Sequence, residues 1–220
     1  MNAPGLTLAL DASTSQGTVA VLRDGVVVAV REAMMRGAHE ERLMPAVLAV
    51  LAEVGAVPRD VARVVCGAGP GSFTSLRIAA GIAKGIAHGA GVPLYAVSSL
   101  ALVVAGAEPA LPDGPYLVAL DAMRGERYAQ RVEMRADGSV RADGEQALAT
   151  IEQLTATGLP VVGPMEPDPL MPHARGVARL LAACLAAGPV ELDGWEPSYG
   201  RLAEAQVKWE AAHGRPLASG

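Results

Sequence analysis

Val61-Ala-Arg-Val-Val-Cys66-Gly67-Ala-Gly-Pro-Gly-Ser72-Phe-Thr-Ser-Leu-Arg-Ile78 leads from a short apolar run, through a glycine-rich turn, into a long segment free of proline as far as Pro93. Val61 to Cys66 predicts a buried strand, and Ser72 to about Ala90 predicts a helix with Ser72 placed to cap it. A strand, a flexible turn and a helix N-terminus in that order belong to an α/β protein and make a place for an anion. The standard phosphate signatures fail here. G-x-G-x-x-G needs glycine or a near equivalent at position 72, which is serine, and the P-loop lysine is missing. The nucleophile elbow G-x-S-x-G is absent too, because Ser72 lies between Gly71 and Phe73. The plainer alternative is a tight strand-to-helix turn.

Upstream, the apolar runs Leu6 to Leu10, Thr18 to Leu22 and Val26 to Val30 are separated by Ser13 to Gly17 and by Asp24-Gly25. An Asp-Gly pair between apolar runs is a hairpin signal, since both turn residues must tolerate positive φ. Three antiparallel strands are expected. Asp11, followed by Ser13 and Thr14, ends the first of them. An acid with hydroxyls at such a turn either holds a metal and phosphates, as in kinase-like folds, or simply satisfies turn amides. A helix is expected from about Glu40 to Val54 and a strand from Leu94 to Val97. Downstream, Tyr116 to Leu120 and Glu126 to Met134 read as a hairpin, Gln146 to Leu154 and Gly176 to Ala187 as helices, and Val161-Val162 as a strand. Strands grouped before helices in both halves suggest two related lobes. They are expected at residues 1–102 and 103–220, with the tail of the second returning to the first.

Composition narrows the function. Of 220 residues, 51% are hydrophobic, which excludes wholesale disorder. The net charge of −5, with Lys84 and Lys208 the only lysines, argues against gripping phosphate backbones unaided. One Phe, two Trp and four Tyr are too few for a base-stacking platform. Cys66 and Cys184 form no C-x-x-C pair, and His39, His88, His173 and His213 form no sequence-local metal motif. No run suits a signal peptide or membrane span, so a soluble cytoplasmic protein is expected.

Two helices carry more information than the polar residues. At about 100° per residue, Leu43, Met44, Val47, Leu48, Val50, Leu51 and Val54 sweep roughly 160°, wider than the arc of about 100° that one core contact needs. The second helix carries Gly81, Gly85 and Gly89 at i, i+4 and i+8. Each glycine costs about 1 kcal/mol of helix propensity against alanine, so close approach of another backbone is expected. That backbone belongs either to the chain's own sheet or to a second subunit.

Leu8-Ala-Leu-Asp11-Ala-Ser-Thr14, His39-Glu-Glu-Arg-Leu-Met-Pro45, Gly67 to Ile78 and Asp121-Ala-Met-Arg-Gly-Glu126 together resemble the bacterial TsaB (YeaZ) family. The match is close in the first half and looser in the second. The resemblance implies the actin-like (ASKHA, ribonuclease H-like) α/β fold. It also implies a non-catalytic partner subunit for making threonylcarbamoyladenosine at adenosine 37 of tRNA, alongside a TsaD-like catalytic subunit and a TsaE-like ATPase. ATP and a metal ion are then expected on the partners, none on this chain, and tRNA is met only through the complex. The resemblance implies that the first two helices pair with the same helices of a partner, or of a second copy when the partner is absent. It therefore places Leu43, Val47, Leu48, Val50, Leu51, Leu76, Ile78, Gly81, Gly85 and Gly89 at a subunit interface. Asp11, Ser13 and Thr14 become a vestigial nucleotide site, with Ser13 where nucleotide-binding relatives of the fold carry glycine.

Some positions depart from the family pattern. Ser75 stands for a usual glycine, and Met123 for the first arginine of its D-A-R motif. The catalytic paralogue carries two metal-binding histidines four residues apart, and here Ser99 and Val103 occupy those places. Neither side chain replaces an imidazole as a metal ligand. A free-standing small-molecule kinase using Asp11 is the competing expectation. A peptidase lacks both a nucleophile elbow and a metal pair.

Overall fold

Leu6-Thr-Leu-Ala-Leu-Asp11 forms β1 (Leu6–Asp11), and all six residues are buried because the strand has partners on both edges and packing on both faces. The computed structural model describes residues 5–35 and 41–200. Readings that fall on His39, Glu40, Lys208 or His213 lie outside them. Hairpin pairing joins β1 to β2 (Gln16–Arg23) and β2 to β3 (Val26–Met34). The Asp24-Gly25 turn takes φ values of 51° and 84°, the left-handed backbone that this pair tolerates.

After α1 (Leu43–Glu53), β4 (Val61–Gly67) lies parallel to β1. After α2 (Phe73–Ala90), β5 (Leu94–Val97) lies parallel to β4. The sheet order is β3-β2-β1-β4-β5. Alternation along the strands then sorts the helices. Leu8, Leu10, Val19 and Val21 face α1 and α2, while Ala9, Ala20, Leu22 and Val65 face the opposite way.

The second sheet repeats the plan. β6 (Gly114–Asp121), β7 (Glu126–Met134) and β8 (Val140–Thr150) are joined as antiparallel neighbours, and α4 (Ile151–Ala156) leads to β9 (Val161–Val162) parallel to β6. Its order, β8-β7-β6-β9, reproduces the first four strands of the first sheet. Between the sheets lie α3 (Ser99–Ala105) and α5 (Val177–Ala187), sharing one core with Val118, Leu120 and Val132. All seven residues of α3 are buried, and a cut between residues 102 and 103 passes through this helix. Paired sheets of this topology, each built on an antiparallel trio and a parallel continuation, form the actin-like, ribonuclease H-like α/β fold.

Two sequence readings need correction. Gln146 to Thr150 is the end of β8, not a helix, because β7 offers an open edge and register pairing overrides the propensity of Ala147, Leu148 and Ala149. The helix begins afterwards at a capping box, with the Thr150 N–H donating to Gln153 Oε1 at 2.8 Å and the Gln153 N–H to Thr150 Oγ1 at 3.4 Å. Ser72 is the N-cap residue of α2, but its side chain makes no capping bond and pairs instead with Ser75 Oγ at 3.1 Å.

Candidate functional site

The first candidate site lies where β1 and β4 end side by side. Asp11 has no exposed surface. Its Oδ1 accepts the Ser13 N–H at 3.0 Å and the Ser13 hydroxyl at 2.7 Å, and its Oδ2 accepts the Ser99 hydroxyl at 2.5 Å. Ser99 Oγ in turn accepts the Gly69 N–H at 3.0 Å, and the Ser72 N–H donates to the Ser13 carbonyl at 2.7 Å. The hairpin after β1, the glycine-rich turn and the start of α3 are thus tied around one carboxylate. Gly67 makes this possible, since a Cβ there would lie 1.9 Å from Asp11 Oδ2. Gly71 does the same against the Ser13 carbonyl, 2.1 Å from where its Cβ would be.

This arrangement does not fit a metal–nucleotide ligand. Both carboxylate oxygens are occupied by protein donors, Ser13 is 3% exposed, and Thr14 Oγ1 is engaged with the Gln16 backbone. The second of the two alternatives for Asp11, satisfaction of local donors, describes the geometry. Ser99 and Val103 are fully buried on α3. Among the described residues, no three His, Cys, Asp or Glu side chains converge as a metal cluster. Nearby, His173 is buried between the sheets. Its Nδ1 accepts the Arg175 N–H at 3.0 Å and its Nε2 faces Glu32 Oε1 at 3.4 Å. Burial holds its pKa below the ordinary value against the opposing pull of Glu32 and Asp11. The link from Asp11 to Ser99 escaped sequence reading because it spans 88 positions.

Burial raises the pKa of Asp11 above its ordinary 3.8, although the hydrogen bonds from Ser99 and Ser13 and the charge of His173 pull the other way. The folded chain therefore binds this proton more tightly than the unfolded one. Stability from this group is greatest in acid and is lost as pH rises through the raised value. Asp11→Asn should remove that loss. As pH rises from the ordinary carboxylate range, the melting temperature of wild type is expected to fall relative to that of the variant. A difference that stays flat, or that grows in the other direction, would show that the carboxylate is not held above its ordinary value.

The second candidate site is the outer face of α1 and α2. Among the described residues, Cβ atoms built on Gly81, Gly85 and Gly89 meet nothing within 4 Å, so the stripe faces outward and is not packed on the chain's own sheet. Beside it a groove of about 370 Å³ is lined by Met44, Pro58, Arg59, Ile82, Gly85 and Gly89, among others. Leu48 is 46% exposed on the adjoining helix, and Ile78 is half-buried. The remaining interface candidates are corrected. Leu43, Val47, Val50, Leu51 and Leu76 have no exposed surface and belong to the chain's own core. The wide apolar arc of α1 is accounted for by contacts with both β2 and β3, which leave Leu48 as its outward member.

An actin-like fold with its carboxylate turn closed from within, and a bare helical face on the first sheet, defines the class of this protein. Residues 30–168 match the family described as TsaD: tRNA N6-adenosine threonylcarbamoyltransferase. The tRNA threonylcarbamoyladenosine biosynthesis protein TsaB of Escherichia coli is 40% identical over 121 residues, 55% of this chain and 52% of that protein. An uncharacterized Mycobacterium tuberculosis protein is 36% identical over 174 residues, 74% of this chain and 80% of that one. Among solved structures, a Pseudomonas aeruginosa protein described as similar to the peptidase YeaZ superposes with a TM-score of 0.77 at 29% identity. That match covers 90% of this chain and all of the other. The chain belongs to the TsaB (YeaZ) family. It spans about half the length of the Escherichia coli relative.

Proposed function

We propose that this chain is a non-catalytic partner subunit in the formation of threonylcarbamoyladenosine at adenosine 37 of tRNA, docking on a TsaD-like catalytic subunit through α1 and α2. The observation that carries this is the outward glycine stripe of α2 beside Leu48. Three glycines in a helix are costly, and nothing among the described residues uses the close approach they permit. The face is shallow, apolar and suited to a second pair of helices. Without the partner, a second copy of the chain takes the same place.

Enclosure of Asp11 supports a chain without phosphoryl or carbamoyl transfer of its own. ATP and a metal ion are then held by the partner subunits, including a TsaE-like ATPase. The net charge of −5 supports tRNA contact through the complex and not through this chain. No helix among the described residues is long and apolar enough to cross a membrane, in keeping with a place in the cytoplasm. The deciding experiment is reconstitution. The pure chain is expected to bring about no ATP turnover and no tRNA modification. Modification by the TsaD-like and TsaE-like subunits is expected to require its addition. Turnover by the pure chain that is lost on Asp11→Ala would instead establish a kinase.

A further inference from the structure

After α5 the chain returns to the first sheet, where the Val190 N–H donates to the Leu94 carbonyl at 2.8 Å and Trp195 packs beneath the α1–α2 side. Residues 196–200 then cross from one sheet to the other. Pro197 is buried, and the Ser198 N–H donates to the Ala68 carbonyl of the glycine-rich turn at 2.7 Å. From the second sheet, Gln146 Nε2 on β8 donates to Ser198 Oγ at 2.8 Å, and the Tyr128 hydroxyl on β7 donates to the Tyr199 carbonyl at 3.3 Å. The Tyr199 ring lies 4.5 Å from that of Phe73, the first residue of α2, with the Arg77 guanidinium 5.3 Å from the Phe73 ring centre.

Two glycines shape this crossing. A Cβ on Gly69 would lie 2.2 Å from the Ser198 carbonyl oxygen. A Cβ on Gly200, whose φ is +75°, would lie 2.3 Å from the Tyr128 ring. The turn under the strap is the one that holds Asp11, through Gly69 to Ser99 and Ser72 to Ser13. The sheets themselves are joined by the core around α3 and α5, which does not include residues 196–200.

We propose that residues 196–200 are a strap that latches the two sheets across the glycine-rich turn, and that its release opens the Asp11 cluster while both sheets stay folded. Glu196, Ser198 and Gly200 lie at the surface, and outside the buried Pro197 the segment is held by single hydrogen bonds and one ring contact, the profile of a segment that opens locally. Its position also gives it a reader. Phe73, Arg77, Gly81, Gly85 and Gly89 follow one another at four-residue spacing down α2, so a body lying along that stripe reaches Tyr199 at its head. The latch itself does not depend on any partner.

Hydrogen exchange followed by mass spectrometry on the full chain tests this, comparing wild type with Tyr199→Ala and Gly200→Val. In both variants, exchange within residues 67–76 is expected to accelerate about tenfold or more, while β1 and β2 keep their protection and the melting temperature holds. Unchanged exchange within 67–76 in both variants would overturn the latch, since the turn would then be held by Ser13 and Ser99 alone. Equal acceleration in β1 and β2 for Tyr199→Ala would overturn it as well, by making the strap part of the cooperative core. If Gly200→Val unfolds the chain, Tyr199→Ala alone decides.

Discussion

Gly67→Ala is expected to destabilise the chain by about 3 kcal/mol, a large change for a single methyl group. That methyl would lie 1.9 Å from Asp11 Oδ2 and 2.8 Å from its Cγ. A long flexible neighbour would move aside, but Asp11 is a short side chain with no exposed surface and three hydrogen-bond donors upon it. The strands cannot spread either, because β1 and β4 are paired in parallel up to Leu10 and Cys66. The carboxylate must therefore turn away, leaving Ser13 and Ser99 without their acceptor in a buried place. Urea denaturation read by circular dichroism measures the loss. Asp11→Ala in the Gly67→Ala background should recover part of it, because the clashing oxygen is gone and the two changes couple. A cost below about 0.5 kcal/mol, the level of a neutral surface change, would mean that the turn relaxes freely around residue 67.

Gly85→Leu is expected to do the opposite, leaving the fold intact while disrupting association with the TsaD-like subunit. A Cβ at position 85 meets nothing within 4 Å among the described residues, and the residue is exposed within an 18-residue helix. Replacing glycine there adds helix propensity, so the melting temperature should hold or rise by an amount set by about 1 kcal/mol. At a close helix contact, the same side chain acts as overpacking of about 1–3 kcal/mol, roughly five- to 150-fold in Kd. Leu48→Glu should weaken the complex similarly by placing a charge on the apolar face. Val47→Ala is the internal control. With no exposed surface, it should cost roughly 1–3 kcal/mol of stability and leave the complex formed by the folded fraction unchanged. Light scattering on mixtures with the partner, with melting curves in parallel, separates the two effects. Full association by Gly85→Leu would remove α2 from the interface.

Much of this protein was determined locally, by patterns that any unfolded copy already carries. Alternating and continuous apolar runs set β1 to β5, and the Asp24-Gly25 pair set the first hairpin, because φ preferences and side-chain periodicity act over a few residues. The GPGSFT string located the turn between β4 and α2 for the same reason, and its resemblance to the TsaB family pointed to the fold before any coordinate. What needed tertiary structure was the direction in which each side chain faces and what meets it from afar. Periodicity gives only relative angles, so it could not separate Leu48, which is exposed, from Val47 and Leu51, which are core. Nor could it decide whether the glycine stripe packed inward or lay bare. Residues 146–150 carry helix-forming side chains yet pair with β7, because an unsatisfied strand edge outweighs small propensity differences. The enclosure of Asp11 by Ser99, and the strap that brings Tyr199 to Phe73, join residues 88 and 126 positions apart. Such contacts exist only once both sheets have formed, because burial and hydrogen bonding across that distance depend on the packed whole.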